Sequence, residues 1–144
     1  MLYNSITVLV YRYKGEDYMK TVKIGLLGIG NVGSGAFQIF SLNSASIAKA
    51  SGCEITVSGV LARSKNKKRD IDINPEIITD DPDEIIKNPE IDIVVEALGG
   101  IEPATTFMLS AMKNGKHVVT ANKAAIAANY DKLTEAAAEN GVQF

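Results

Sequence analysis

The chain has 144 residues, 46% of them apolar and 22% charged, with a net charge of −2. That is enough for one compact domain with a real core, and the charge gives no overall pull toward nucleic acid or an anionic membrane. A single Cys, Cys53, cannot form an internal disulfide and a single His, His117, has no clustered ligands, so neither a disulfide scaffold nor a metal site is expected, and a reducing, cytoplasmic setting is.

The first element, "MLYNSITVLVYRY", is β-prone, but its apolar core from Ile6 to Val10 is short and no basic segment precedes it. No stretch reaches the roughly 20 apolar residues of a membrane helix. Residues 1–18 are read as an N-terminal extension foreign to the fold, and the domain as 19–144. From Met19 onward, β-type runs alternate with helical patterns, which predicts an α/β, Rossmann-type doubly wound fold: a mainly parallel sheet with helices on both faces.

Val22 to Leu27 forms the first predicted strand. A helix follows, with Val32, Ala36, Ile39, Phe40, Ile47 and Ala48 on one face and a break expected in "SLNSAS", Leu42 to Ser46. Ile55 to Ala62 is the second strand. A polar, basic stretch leads to a small helix near Pro82 to Lys87, and then to a strand at Ile91 to Glu96. Pro103 suits the first turn of a helix that Gly115 stops. "HVVT" is a further strand, entered at His117. "ANKAAIAANYDKLTEAAAENG" is helical, and "VQF" begins what should be another strand.

The first strand breaks into "GIGNVG", three glycines spaced G-x-G-x-x-G between a strand and a helix. In a dinucleotide site Gly28 makes the tight turn, Gly30 lets the backbone approach the pyrophosphate, and Gly33 lets the helix pack on the strand. The helix beginning near Asn31 offers free N–H groups to phosphate. NAD sites usually place an acid at the end of the second strand, whereas here "VLARSKNKKRD" places Arg63, with no acid before Asp70. A guanidinium meets a 2′-phosphate with paired hydrogen bonds, so NADP is the preferred cofactor and NAD the second choice. Lys65, Lys67, Lys68 and Arg69 are expected to form a solvated loop. The loop lacks interleaved aromatics, which argues against nucleic acid.

Two later segments end strands with chemistry-bearing residues. "IDIVVEALGGIEPA" puts Glu96 at a strand end, followed by Gly99 and Gly100, a pair that either lets the backbone pass the ribose and nicotinamide or makes a plain turn. "GKHVVTANKAA" ends a strand at Thr120, with Lys123 just beyond, either touching cofactor or a carboxylate substrate or simply exposed.

Together "KIGLLGIGNVGSG", "VLARS", "DPDEIIKNPEIDIVVEALGGIEPA" and "GKHVVTANKA", in that order and spacing, resemble the N-terminal NAD(P)-binding domain of homoserine dehydrogenase across Met19 to Phe144. The resemblance implies an oxidoreductase of threonine and methionine biosynthesis that interconverts L-aspartate 4-semialdehyde and L-homoserine. It implies that Gly28, Ile29, Gly30, Asn31, Val32 and Gly33 hold the pyrophosphate, and that Arg63 meets the 2′-phosphate. Gly99, Gly100 and Thr120 would lie near the nicotinamide, and Lys123 at the cofactor–substrate junction. In that family the substrate domain, with its catalytic lysine and acidic partners, follows the strand at which this chain ends. The resemblance therefore implies cofactor binding without turnover by the chain alone, no catalytic residue within it, and a homo-oligomeric full-length parent. Two other readings stay open: the cofactor domain of another NADP-dependent amino-acid or semialdehyde reductase, and a non-enzymatic nucleotide-sensing Rossmann module.

Overall fold

The computed structural model describes residues 19–65, 67 and 69–144; the expectation for residues 1–18 lies outside them. Strand β1 (Lys20–Leu27) runs between β2 (Cys53–Leu61) and β4 (Ile93–Glu96). Beyond β2 lies the two-residue β3 (Ile78–Thr79), and beyond β4 lies β5 (His117–Thr120), so the all-parallel order is β3-β2-β1-β4-β5. Successive crossovers leave β1 in opposite directions along the sheet. The carboxyl ends of β1 and β4 therefore mark the switch point of a doubly wound fold, where open α/β sheets bind ligands.

The expected helix break is present. Helix α1 (Asn31–Leu42) stops at Asn43 and α2 (Ser44–Ser51) restarts at once, ending on Gly52 at φ +72°. Both the N–H and the side-chain amide of Asn43 donate to the Ile39 carbonyl, closing the first helix with the polar residues that made it a poor interior. The two-residue β3 was not expected from the sequence. Its partners are Val60 and Leu61, and its existence depends on β2 lying alongside.

Both faces of the sheet are covered, unequally. On one face α3 (Asp83–Ile86), α4 (Ala104–Lys113) and α5 (Lys123–Glu139) bury Ile85, Ile86, Met108, Met112 and Leu133 against Leu27, Val94 and Val118. Each such side chain contributes about 1.5–3 kcal/mol on burial. Helix α3 has only one turn and docks because the sheet makes room for it. Gly25 and Gly59 are register partners, and a β-carbon on Gly59 would stand 3.1 Å from Ile85. On the other face the buried cluster is Leu26, Phe37 and Val60, edged by half-buried side chains such as Ile73 and Ile77. A groove of about 400 Å³ opens there, lined in part by Phe37, Phe40, Ile55 and Val57.

Pro103 precedes α4 instead of occupying its first turn, and follows a cis peptide bond from Glu102. Lys116, at the amino end of β5, is buried. Its ammonium donates to the carbonyls of Asn88 and Ile91, and desolvation holds its pKa below the usual lysine range. The expected strand in "VQF" is reduced to a single ladder contact: Val118 N–H donates to the Gln143 carbonyl at 2.9 Å, and Gln143 N–H donates to His117 Nδ1. Among the described residues no helix is long and apolar enough to cross a membrane, and no group of side chains is arranged to hold a metal.

Candidate functional site

The glycine turn lies at the carboxyl end of β1. Gly28 adopts φ +104°, donates its N–H to the Leu61 carbonyl, and would bring a β-carbon to 2.8 Å from the Ala97 carbonyl oxygen. A β-carbon on Gly33 would collide with the Gly28 carbonyl. The protein itself therefore requires glycine at both places, one to turn and one to let α1 lie on the turn. Gly30 is different: a β-carbon there would meet nothing within 4 Å. The backbone at that position is open to an external group.

Gly30 is also the N-cap of α1, and no side chain caps the helix. The first helical bond runs from Ser34 N–H to the Gly30 carbonyl, so the preceding amides stand at an exposed helix start beside Asn31 and Val32. The first turn carries no acid. Uncompensated N–H groups and the positive end of the helix dipole suit an anion. Ile29 is half-buried in the smaller core cluster and anchors the turn from below.

At the end of β2, Ala62 N–H donates to the Thr79 carbonyl, and the next residue, Arg63, is exposed. The loop after it departs from the expectation of plain solvated charge. The Arg69 guanidinium donates to the carbonyls of Ser64 at 2.6 Å, Lys67 at 2.9 Å and Lys65 at 3.3 Å, curling the loop around itself. Lys65 pairs with Asp80 at 3.6 Å, Lys67 stays exposed, and Lys68 lies outside the described residues. Among the described residues no ion pair engages Arg63, which leaves its fork free for an external anion.

Past β4 the backbone passes through Gly99 at φ +76° and Gly100 at φ +74°, both exposed, a conformation that side-chain-bearing residues rarely adopt. Glu96 is the fully buried last residue of β4, paired in register with Thr120 on β5. Its Oε1 accepts from the amides of Leu98 at 2.7 Å and Gly99 at 3.3 Å, and its Oε2 accepts from the Thr120 hydroxyl. The Asn122 side chain reaches Glu96 at 3.5 Å and donates to the Gly100 carbonyl at 2.6 Å, while its oxygen caps α5 by accepting from Ala125 N–H. Lys123 follows as the first residue of α5, exposed.

The carboxyl ends of β2, β1, β4 and β5 thus carry Arg63, the Gly28–Gly33 turn, Gly99 with Gly100, and Thr120 with Lys123, in that order along one rim. A positive helix start at the middle, a free guanidinium at one end and a lysine at the other suit an elongated, multiply charged ligand. Sequence reasoning named Glu96 as a strand end without a role and passed over Asn122. The signal for both is a polar residue closing an apolar strand, and its meaning appears only when β4 and β5 are placed side by side. The lysines with displaced pKa values, Lys116 and Lys87 (raised by its hydrogen bond to Asp83), lie away from this rim.

Residues 28–144 match the family model described as homoserine dehydrogenase, NAD binding domain. The chain is 45% identical over 124 residues to a homoserine dehydrogenase of Pseudomonas aeruginosa and 37% identical over 123 residues to one of Bacillus subtilis. These alignments cover 86% and 85% of this chain, but only 28% of either relative. The crystal structure of the S. aureus homoserine dehydrogenase at pH 8.5 superposes with a TM-score of 0.82 at 41% identity, over 88% of this chain and 32% of that one.

Proposed function

The chain belongs to the homoserine dehydrogenase NAD-binding domain family, and from that premise we propose that it is the cofactor-holding part of an enzyme that interconverts L-homoserine and L-aspartate 4-semialdehyde, with NADP preferred over NAD. The observation that carries this reading is the open β-carbon position at Gly30, set at the uncapped start of α1.

The roles follow the rim. The turn from Gly28 through Ile29, Gly30, Asn31 and Val32 to Gly33 cradles the pyrophosphate with main-chain amides and the helix dipole. Arg63 takes the adenosine 2′-phosphate, supported by its exposure and by the loop hydrogen bonds that engage Arg69 and leave Arg63 free. Gly99, Gly100 and Thr120 flank the nicotinamide, which when bound supplies or accepts the hydride. Lys123 stands at the junction with substrate. No side chain of the rim is assigned as the acid–base group, so the chain by itself binds cofactor without turnover. The small-molecule substrate, a homo-oligomeric assembly and a cytoplasmic location are proposed for the full-length enzyme.

Calorimetric titration with NADPH and NADH tests the reading. The wild-type chain is expected to bind NADPH at least about tenfold more tightly, and Arg63→Ala to remove most of that preference. An unchanged ratio in the variant rejects the role of Arg63. Failure of both nucleotides to bind the wild type rejects the cofactor assignment.

A further inference from the structure

The buried carboxylate at the end of β4 has partners unlike those of an ordinary core residue. Glu96 is 1% exposed, and taking a carboxylate out of water costs several kcal/mol before its hydrogen bonds offset the loss. A residue kept only for packing would do as well or better as an apolar side chain of similar volume. Every donor to Glu96 comes instead from the ligand-facing rim: Leu98 and Gly99 after β4, Thr120 at the end of β5, and Asn122 just after it. Asn122 extends the connection to the Gly100 carbonyl and to the start of α5, next to Lys123. One side chain holds both loops in register.

We infer that Glu96 is a positioning residue for the nicotinamide end of the site. It holds the Gly99–Gly100 turn against Thr120 and Asn122 so that the two loops present a fixed pocket edge, and it touches neither cofactor nor substrate itself. The inference rests on the cofactor reading above and assigns the work of one half of the site. Glu96 accepts from two main-chain amides on one oxygen and from a hydroxyl on the other, whereas a glutamine offers one accepting oxygen and would turn an NH₂ toward donors.

The experiment separates the two halves of the ligand. The full 144-residue chain and its variants are titrated with NADPH and with adenosine 2′,5′-bisphosphate, which carries the adenosine and its 2′-phosphate but no nicotinamide. Glu96→Gln is expected to weaken NADPH about tenfold while leaving the fragment within about twofold of wild type. Asn122→Asp, which keeps the oxygen that caps α5 but removes the donor to Glu96 and to the Gly100 carbonyl, is expected to weaken NADPH about threefold with the fragment unmoved. Should Glu96→Gln unfold, Asn122→Asp carries the result alone. Equal loss of both ligands, or no loss of either, overturns the inference while leaving the cofactor reading standing; absence of binding by the wild type overturns both.

Discussion

The two faces of the sheet are built to different standards. Behind β4 and β5, α3 to α5 form a saturated core in which Met108, Met112 and Leu133 are wholly enclosed. Behind β1 and β2, α1 and α2 cover a cluster of three buried residues and leave Val32 60%, Ile39 58% and Leu42 81% exposed. The thin face is the one whose leading helix begins at the glycine turn. The position of α1 is set by the approach of Gly33 to the Gly28 carbonyl, and little apolar area has to lie beneath it. The packing that stabilises this small domain is therefore concentrated on one face, and on the other a helix is placed by one close backbone contact.

Three substitutions would break or sharpen this contrast. Leu133→Ala on the saturated face should cost about 3–4 kcal/mol in denaturant unfolding, because the rigid surroundings cannot close the cavity; a loss under about 1 kcal/mol would show that face to be loosely packed. Gly33→Ala is smaller but more local. The added methyl must push α1 off the turn, costing about 1–3 kcal/mol and weakening nucleotide binding alongside. Unchanged binding with full stability would mean that the close approach is not needed. Leu42→Ser on the thin face should stay within about 0.5 kcal/mol of wild type. A larger loss would reveal a covering partner for α1 in solution.

How much was legible from the residues follows the same division. Strand and helix alternation, the break in "SLNSAS" and the glycine turn are written in local pattern and local propensity, and each appears within a residue or two of its expected place. The two-residue β3 was invisible because no pattern of period two fits in Ile78–Thr79; it is a strand only because β2 lies beside it. Arg69 read as one more solvated cation in a basic run. Its three bonds to loop carbonyls depend on how the loop folds back, which composition does not encode. Glu96 and Lys116 are the sharpest omissions. Both are ionisable groups removed from water; Lys116 is satisfied by the carbonyls of Asn88 and Ile91, and Glu96 in part by Thr120 and Asn122, partners that are distant in sequence. Local physics wrote the scaffold, and tertiary pairing wrote the polar details.

Of the three turn glycines, two are enforced by the chain's own backbone, while at the middle one nothing in the chain crowds a β-carbon. A lineage that stopped using the ligand yet still had to fold would keep Gly28 and Gly33 and let Gly30 drift.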